Sequence, residues 1–281
     1  MRSLLEVPNV QAEAEEPAKL RLGGMALRNG LIVHGPLHWA VAVRLDGGKI
    51  KVASGRKPRL RGRVASLPGV RGVARLGEAF ALLPVIKRRV PEMQLPFEDA
   101  RVAAAMVASS ALAATVRRLG ARTLGRESAV ALLSIAPTAL ALRDSDLASY
   151  HGVEHKAIAG YEQGRDASET AKEHDRCGSN LVAPMMISTI AGNALARGLL
   201  GARGPVAGVA VTLGSAAVAV ELLAWSERNR GTALARALKV PGSEMQRLFA
   251  TREPTDDQLD VGRVALAEIL RVERAALDAA G

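Results

Sequence analysis

The chain has 281 residues, with 38 Lys and Arg against 28 Asp and Glu for a formal net charge of +10. Apolar residues make up 48%, yet Phe, Trp and Tyr together number only seven, so alanine, valine and leucine supply most of the burial. A single cysteine, Cys177, excludes an intramolecular disulfide, and the long alanine-rich runs exclude a disordered composition.

Residues 1–20 read as a polar, mobile tail. The opening MRSLLEVPNVQAEAEEP carries acidic charge and no apolar run of signal-peptide length, which argues against classical secretion. Residues 21–55 read as a small antiparallel β-meander of three or four strands. Asn29-Gly30 and Asp46-Gly47-Gly48 each separate short apolar runs, where hairpin turns need positive φ, and Trp39, Val41 and Val43 alternate with Ala40, Ala42 and Arg44. So small a sheet must pack on something else.

Residues 56–101 read as a basic linker followed by an amphipathic helix. From Arg44 to Arg89 there are 13 basic residues against Asp46 and Glu78, which leaves the rest of the chain close to neutral. The densest stretch, RKPRLRGR, holds Arg56, Lys57, Arg59, Arg61 and Arg63. Such a patch attracts phosphate, either as anionic lipid headgroup or as nucleic acid such as ribosomal RNA, and a merely solvated loop carries the same charge. The absence of aromatic residues between Trp39 and Phe80 argues against a stacking platform for single strands.

Residues 102–225 contain four uncharged stretches, Val102 to Val116, Ser128 to Leu142, Asn180 to Ala196 and Gly204 to Val220, of 15, 15, 17 and 17 residues. A full crossing of the hydrocarbon core takes about 20 residues, with roughly 17 as the lower edge, so the last two qualify narrowly and the first two fall short. Their alanine, serine, threonine and glycine suit close helix contact, in a membrane or in a soluble bundle. Flanking charge favours one topology: residues 82–101, 143–179 and 225–244 carry 4, 5 and 4 basic residues, against 4 and 2 in 117–126 and 197–203. That places both termini and a central loop, 143–179, in the cytoplasm. Residues 226–281 read as amphipathic helices, with capping boxes at Ser243/Gln246 and Thr255/Gln258. The expected fold is mainly α: a helical membrane bundle of about four short apolar helices with a small N-terminal antiparallel β-meander.

Three of the five histidines fall between Tyr150 and Cys177. In YHGVEHK, His151, Glu154 and His155 form an H-x-x-E-H arrangement that places both imidazoles on one helix face with the carboxylate beside them, and Glu162 returns to that face. Two imidazoles held this way can share a divalent metal, zinc by preference, while the carboxylate handles the proton of a water activated there. The same spacing marks inverted zinc peptidases, which need a further ligand downstream. Candidates are His174 and Cys177, an H-x-x-C pair, and Glu221 at the end of the fourth apolar stretch, where an ionisable residue is a functional hypothesis by default. An ordinary polar helix face is the competing reading of the same residues.

Taken together the motifs resemble the YqhQ-like family of bacterial membrane proteins, a family of unknown function often described as predicted metal-dependent enzymes. The resemblance runs from Gly23 to about Leu270, through GGMALRNGLIVHGP, HWAVAVR, YHGVEHK, YEQG, the H-x-R-C-G of His174 to Gly178 and TREPTDDQLDV. It implies a helical membrane protein of about four spans with a cytoplasmic motif loop. The implied site comprises His151, Glu154, His155, His174, Arg176 and Cys177, with Glu221 matching a glutamate of the last span. This chain departs from the pattern at Met25 and Asn29, where relatives tend to carry glutamine and glutamate, and at His34, where arginine is common. His34 is thereby an additional candidate ligand. The functional expectation is a membrane protein with a divalent-metal site, Glu154 as its catalytic carboxylate and hydrolysis as its reaction class. The alternative is a non-catalytic membrane factor that uses its basic region to engage anionic lipid or ribosomal RNA.

Overall fold

The computed structural model describes residues 19–58, 71–118, 123–198, 201 and 205–279. Most of the expected N-terminal tail and the basic residues Arg59, Arg61 and Arg63 lie outside the described residues.

Four strands, β1 (Gly23–Leu27), β2 (Gly30–His34), β3 (His38–Arg44) and β4 (Ile50–Arg56), pair antiparallel in the order β1-β2-β3-β4. At the β3–β4 turn Gly47 and Gly48 take φ of 86° and 83°, conformations that a Cβ would strain. The β1–β2 turn works differently from the sequence expectation. Gly30 does not have positive φ but starts β2, where a Cβ would stand 2.1 Å from the Ala42 carbonyl oxygen. Asn29 holds that turn by donating to the carbonyls of Arg44 and Glu92 and accepting from Gln94 N.

The period-2 alternation gives the sheet two buried faces. Trp39, Val41 and Val43, with Leu27 and Ile32, pack on Leu82, Leu83 and Ile86 of α1 (Arg71–Arg89). Leu31, Val33, Ala40 and Ala42 pack on Tyr150, Val153 and Ile158 of α4 (Ser145–Gln163) and on Leu259, Val261, Ala265 and Ile269 of α8 (Asp256–Asp278). The sheet is therefore a wedge between helices, as its size required. Glu273 of α8, fully buried, ties the β2–β3 turn by accepting from the backbone N–H groups of Leu37 and His38 at 2.7 Å.

The uncharged stretches form α2 (Ala100–Arg118), α3 (Leu124–Ala141), α5 (Val182–Gly198) and α6 (Pro205–Arg228). They pair as antiparallel neighbours in sequence, α2 with α3 and α5 with α6, and α3 also touches α5. Among the described residues one helix, over Val206–Arg228, is long and apolar enough to cross a membrane. Large apolar side chains nonetheless stand exposed on all four, including Val107 at 71%, Leu132 at 63%, Leu195 and Val209.

At the C-terminal end α8 carries the expected capping box, with Gln258 N donating to Thr255 Oγ1 and Thr255 N to Gln258 Oε1. The other expected box does not form. Ser243 lies in the last turn of α7 (Ala233–Met245), whose N-cap is Thr232, and its hydroxyl donates to Val240 O. Gln246 instead opens a five-residue π-helical turn, Gln246–Ala250, and turns its amide inward.

Candidate metal centre

Helix α4 is fixed at both ends. The Asp144 carboxylate caps its N-terminus by accepting from Asp146 N, and Arg28 of the β1–β2 turn pairs with that carboxylate at 2.7 Å. Gly164, at φ 68°, closes the C-terminus in a left-handed cap. Between these ends one face of the helix presents His151, Glu154 and His155 to a cavity of about 880 Å³.

The two imidazoles are anchored alike. His155 Nδ1 lies 2.6 Å from Lys172 O and His151 Nδ1 lies 2.8 Å from Ala250 O. A carbonyl oxygen only accepts, so each Nδ1 carries the hydrogen and each Nε2 keeps its lone pair. His155 is 1% exposed, and its Nε2 is buried without a hydrogen-bond partner. Burial, reinforced by the repulsion that a protonated His151 would exert, holds its pKa far below the usual imidazole range, so the ring stays neutral as a metal ligand must.

Cys177 completes the group from the loop between α4 and α5. Its Sγ is 3.4 Å from His151 Nε2, and it caps a 3-10 turn over Gly178–Leu181. One ligand atom from each of His151, His155 and Cys177 lies within 4.8 Å of the other two. Burial pushes the Cys177 thiol up, against hydrogen bonds from Ser179. A bound cation would reverse that shift. An unsatisfied buried imidazole nitrogen beside a second Nε2 and a thiol is a nitrogen–sulfur donor set, and these residues fit a divalent metal.

Glu154 sits 4.0 Å from His151 Nε2 with its side chain 12% exposed. Burial raises its pKa to about 7, although His151 pulls the other way. It lies against β1: a Cβ on Gly24 would come within 2.5 Å of its Cγ. The double glycine of the N-terminal motif thus leaves the space that Glu154 fills.

The remaining expected site residues divide. Glu162 holds the motif loop, with one carboxylate oxygen 3.5 Å from His174 Nε2 and the other paired with Arg176. His174 Nδ1 accepts from Arg176 N, so the ring hydrogen points at Glu162, and His174 borders the cavity outside the trio. His34 and Met25 also line the cavity, whereas Asn29 belongs to the turn. Burial and then Lys57 lower the His34 pKa to about 4. Glu221, half-buried on α6, lines neither this cavity nor the smaller one beside it. Arg56 is exposed at the end of β4, and Lys57 donates to Gly35 O.

Sequence reasoning missed the supports. Gln246 accepts from His174 N and donates to Ser179 Oγ, both at 2.8 Å, and so holds the loop that carries Cys177. Lys172 Nζ reaches the carbonyls of Arg247 and Thr251, and Arg252 N donates to Ala148 O of α4. The stretch at residues 246–252 therefore clamps both halves of the site.

Residues 143–272 match a family described as "Protein of unknown function (DUF1385)". This segment runs from the start of α4 into α8 and contains the trio and both carbonyl anchors. Similarity extends to an "Uncharacterized protein YqhQ" of Bacillus subtilis (strain 168), 31% identical over 137 residues, covering 44% of this chain and 40% of that protein. The chain thus matches about two fifths of the relative's length. No solved structure matches. Residues 143–272 are thus similar to the YqhQ-like proteins of unknown function.

Proposed function

We propose that this protein is an integral membrane, metal-dependent hydrolase whose zinc site lies at the cytoplasmic face. The observation that carries the reading is the matched pair of anchored imidazoles. Both Nδ1–H groups are committed to backbone carbonyls, the His151 Nε2 lies 3.4 Å from the buried Cys177 thiol, and the His155 Nε2 is buried without a hydrogen-bond partner. Outer-sphere carbonyls that fix the tautomer and the ring plane are what metal-ligating histidines require. His151, His155 and Cys177 would hold the ion, and the mixed nitrogen and sulfur donors favour zinc among divalent metals. Zinc bound there supplies Lewis acidity towards a substrate oxygen. Glu154, with its pKa near 7, takes up and returns the proton that hydrolysis moves. Glu162 and Gln246 keep the loop of Cys177 in place.

Membrane insertion is supported by the apolar side chains left in the open on α2, α3, α5 and α6, and by the length of α6. The exposed Arg56 would then meet anionic headgroups on the cytoplasmic leaflet. Metal content of detergent-extracted protein, prepared reduced and without chelators, tests the site. Near-stoichiometric zinc in the native chain and its loss in His155→Ala are expected. Native protein without bound metal would reduce the cluster to structural hydrogen bonding.

A further inference from the structure

The cavity extends well beyond the trio, and its far wall is unlike the near one. Helix α2 contributes Val102, Met106, Ser109, Ser110 and Ala113, and α3 contributes Val130, Ser134, Pro137, Thr138 and Ala141. On both helices these positions run i, i+4, i+7, i+8, i+11, one face of each, filled mainly by small or apolar side chains. Their outward faces carry Val107, Leu112 and Leu132, all more than half exposed, on the surface read above as lipid-facing. The inner face is thus a slot walled by alanine, serine and proline that leads to the buried Nε2 of His155. A volume of about 880 Å³ is ample for a small molecule, since such sites typically enclose roughly 300–1,000 Å³. A second cavity of about 310 Å³, lined by Ile135, Met185 and Met186, shares Val130, Ser134 and Gly178 with the first and extends the apolar room past α3.

We infer that the slot between α2 and α3 takes an aliphatic chain of a membrane lipid and presents the polar group at its end to the His151–His155–Cys177 cluster. The substrate class follows, resting on the hydrolase reading above: a lipid ester. Hydrolysis adds water across the acyl C–O bond. The water oxygen bonds to the carbonyl carbon, the bond to the alcohol oxygen breaks with its electron pair, and the proton from water passes by way of Glu154 to the departing alcohol. A fatty acid and an alcohol result, and no oxidant or reductant is consumed. The polar end of the slot suits this task, because His34 and Arg176 border it with the trio while the opposite end offers only hydroxyls and apolar groups.

Photolabelling tests the binding apart from turnover. The full-length protein is reconstituted in phosphatidylethanolamine–phosphatidylglycerol vesicles containing a phosphatidylglycerol with a diazirine in one acyl chain. A parallel sample receives the free diazirine fatty acid instead. Labelled residues are located by peptide mass spectrometry in the native chain, in Ala113→Phe and in Ser134→Phe. The inference expects lipid-derived label on Met106, Ser109, Ala113 or Ser134, lost in either bulky variant while zinc content stays native. Label confined to Val107, Leu112, Leu132 and Val209 would mean lipid at the outer surface only and would overturn it. Inward label from the free acid alone would equally overturn a lipid occupant. Absence of metal in native protein would leave inward labelling standing and remove only the hydrolase reading, so the two failures are distinguishable.

Discussion

His34 illustrates how one buried side chain ties the outer shell of the site to acidity. Its ring packs on Gly23, where a Cβ would come within 2.9 Å, and Lys57 Nζ lies 3.4 Å from its Nδ1. Protonation would place a second cation beside Lys57 in a partly desolvated corner, so the folded chain resists it and the pKa falls to about 4. The unfolded chain accepts that proton near the ordinary value of 6.5. Between these values the unfolded state binds more protons, and acidification therefore favours unfolding. His34→Gln removes the effect and leaves every other titrating group in place, including Glu154, whose raised pKa acts with the opposite sign. Relative to the native chain the variant should gain about 1–2 kcal/mol between pH 7 and pH 5. Thermal unfolding in detergent at the two pH values checks this, and a difference that does not change with pH would sink it. Gly24 makes the complementary point, since the residue that lets Glu154 be buried has no functional group of its own.

Among the elements, the π-helical turn at Gln246–Ala250 has the largest influence on the site for its length. Its wider winding leaves Ala250 O for His151 and swings the Gln246 amide onto the Cys177 loop. Gln246→Met keeps the volume and deletes both amide hydrogen bonds, stranding His174 N–H and the Ser179 hydroxyl. A cost of about 1–3 kcal/mol in stability is expected. The loop of Cys177 should loosen, weakening zinc roughly 10–100-fold in a chelator competition, as loss of an outer-sphere partner does elsewhere. Native affinity in this variant would show that the clamp is idle. This element also marks where the sequence stops being informative. The H-x-x-E-H spacing is readable because helical geometry fixes which side chains share a face, and the β3–β4 turn is readable from Gly47 and Gly48, whereas at Asn29-Gly30 only the position of the turn is, since Gly30 starts β2 without positive φ. The carbonyls of Lys172 and Ala250 carry no side-chain signature, and Ser243 with Gln246 imitates a capping box because the same two residue types serve both arrangements. The choice of Cys177 over His174 for the trio depends on where Glu162 pulls the imidazole, which spacing alone does not encode.

For the whole molecule the decisive arrangement is the division between a charged half and two apolar hairpins. The sheet, α1, α4 and α8 bury one another and gather the ion pairs, whereas α2–α3 and α5–α6 project apolar side chains outward and bury little: 11% of the apolar window of α6 is covered. At 1.5 Å per residue the 19 residues of α2 reach about 28 Å and the 24 of α6 about 36 Å, against a hydrocarbon core of about 30 Å. In a spanning arrangement the charged helix ends would fall near the two interfaces, although the uncharged stretch of α2 alone is too short. If both hairpins cross, the β3–β4 turn and the N-terminus of α3 lie on opposite sides of the membrane, with the basic turn inside by its charge. Single cysteines at those places, Asp46→Cys and Thr123→Cys, each in a Cys177→Ser background, should report it. A membrane-impermeant maleimide applied to intact cells is expected to label the residue-123 variant and to reach the residue-46 variant only after the membrane is opened. Equal labelling of both from outside, or recovery of the protein in the supernatant after lysis without detergent, would refute the spanning arrangement. The lipid slot would lose its supply at the same time, because its mouth between α2 and α3 would then face water instead of the bilayer from which an acyl chain must enter.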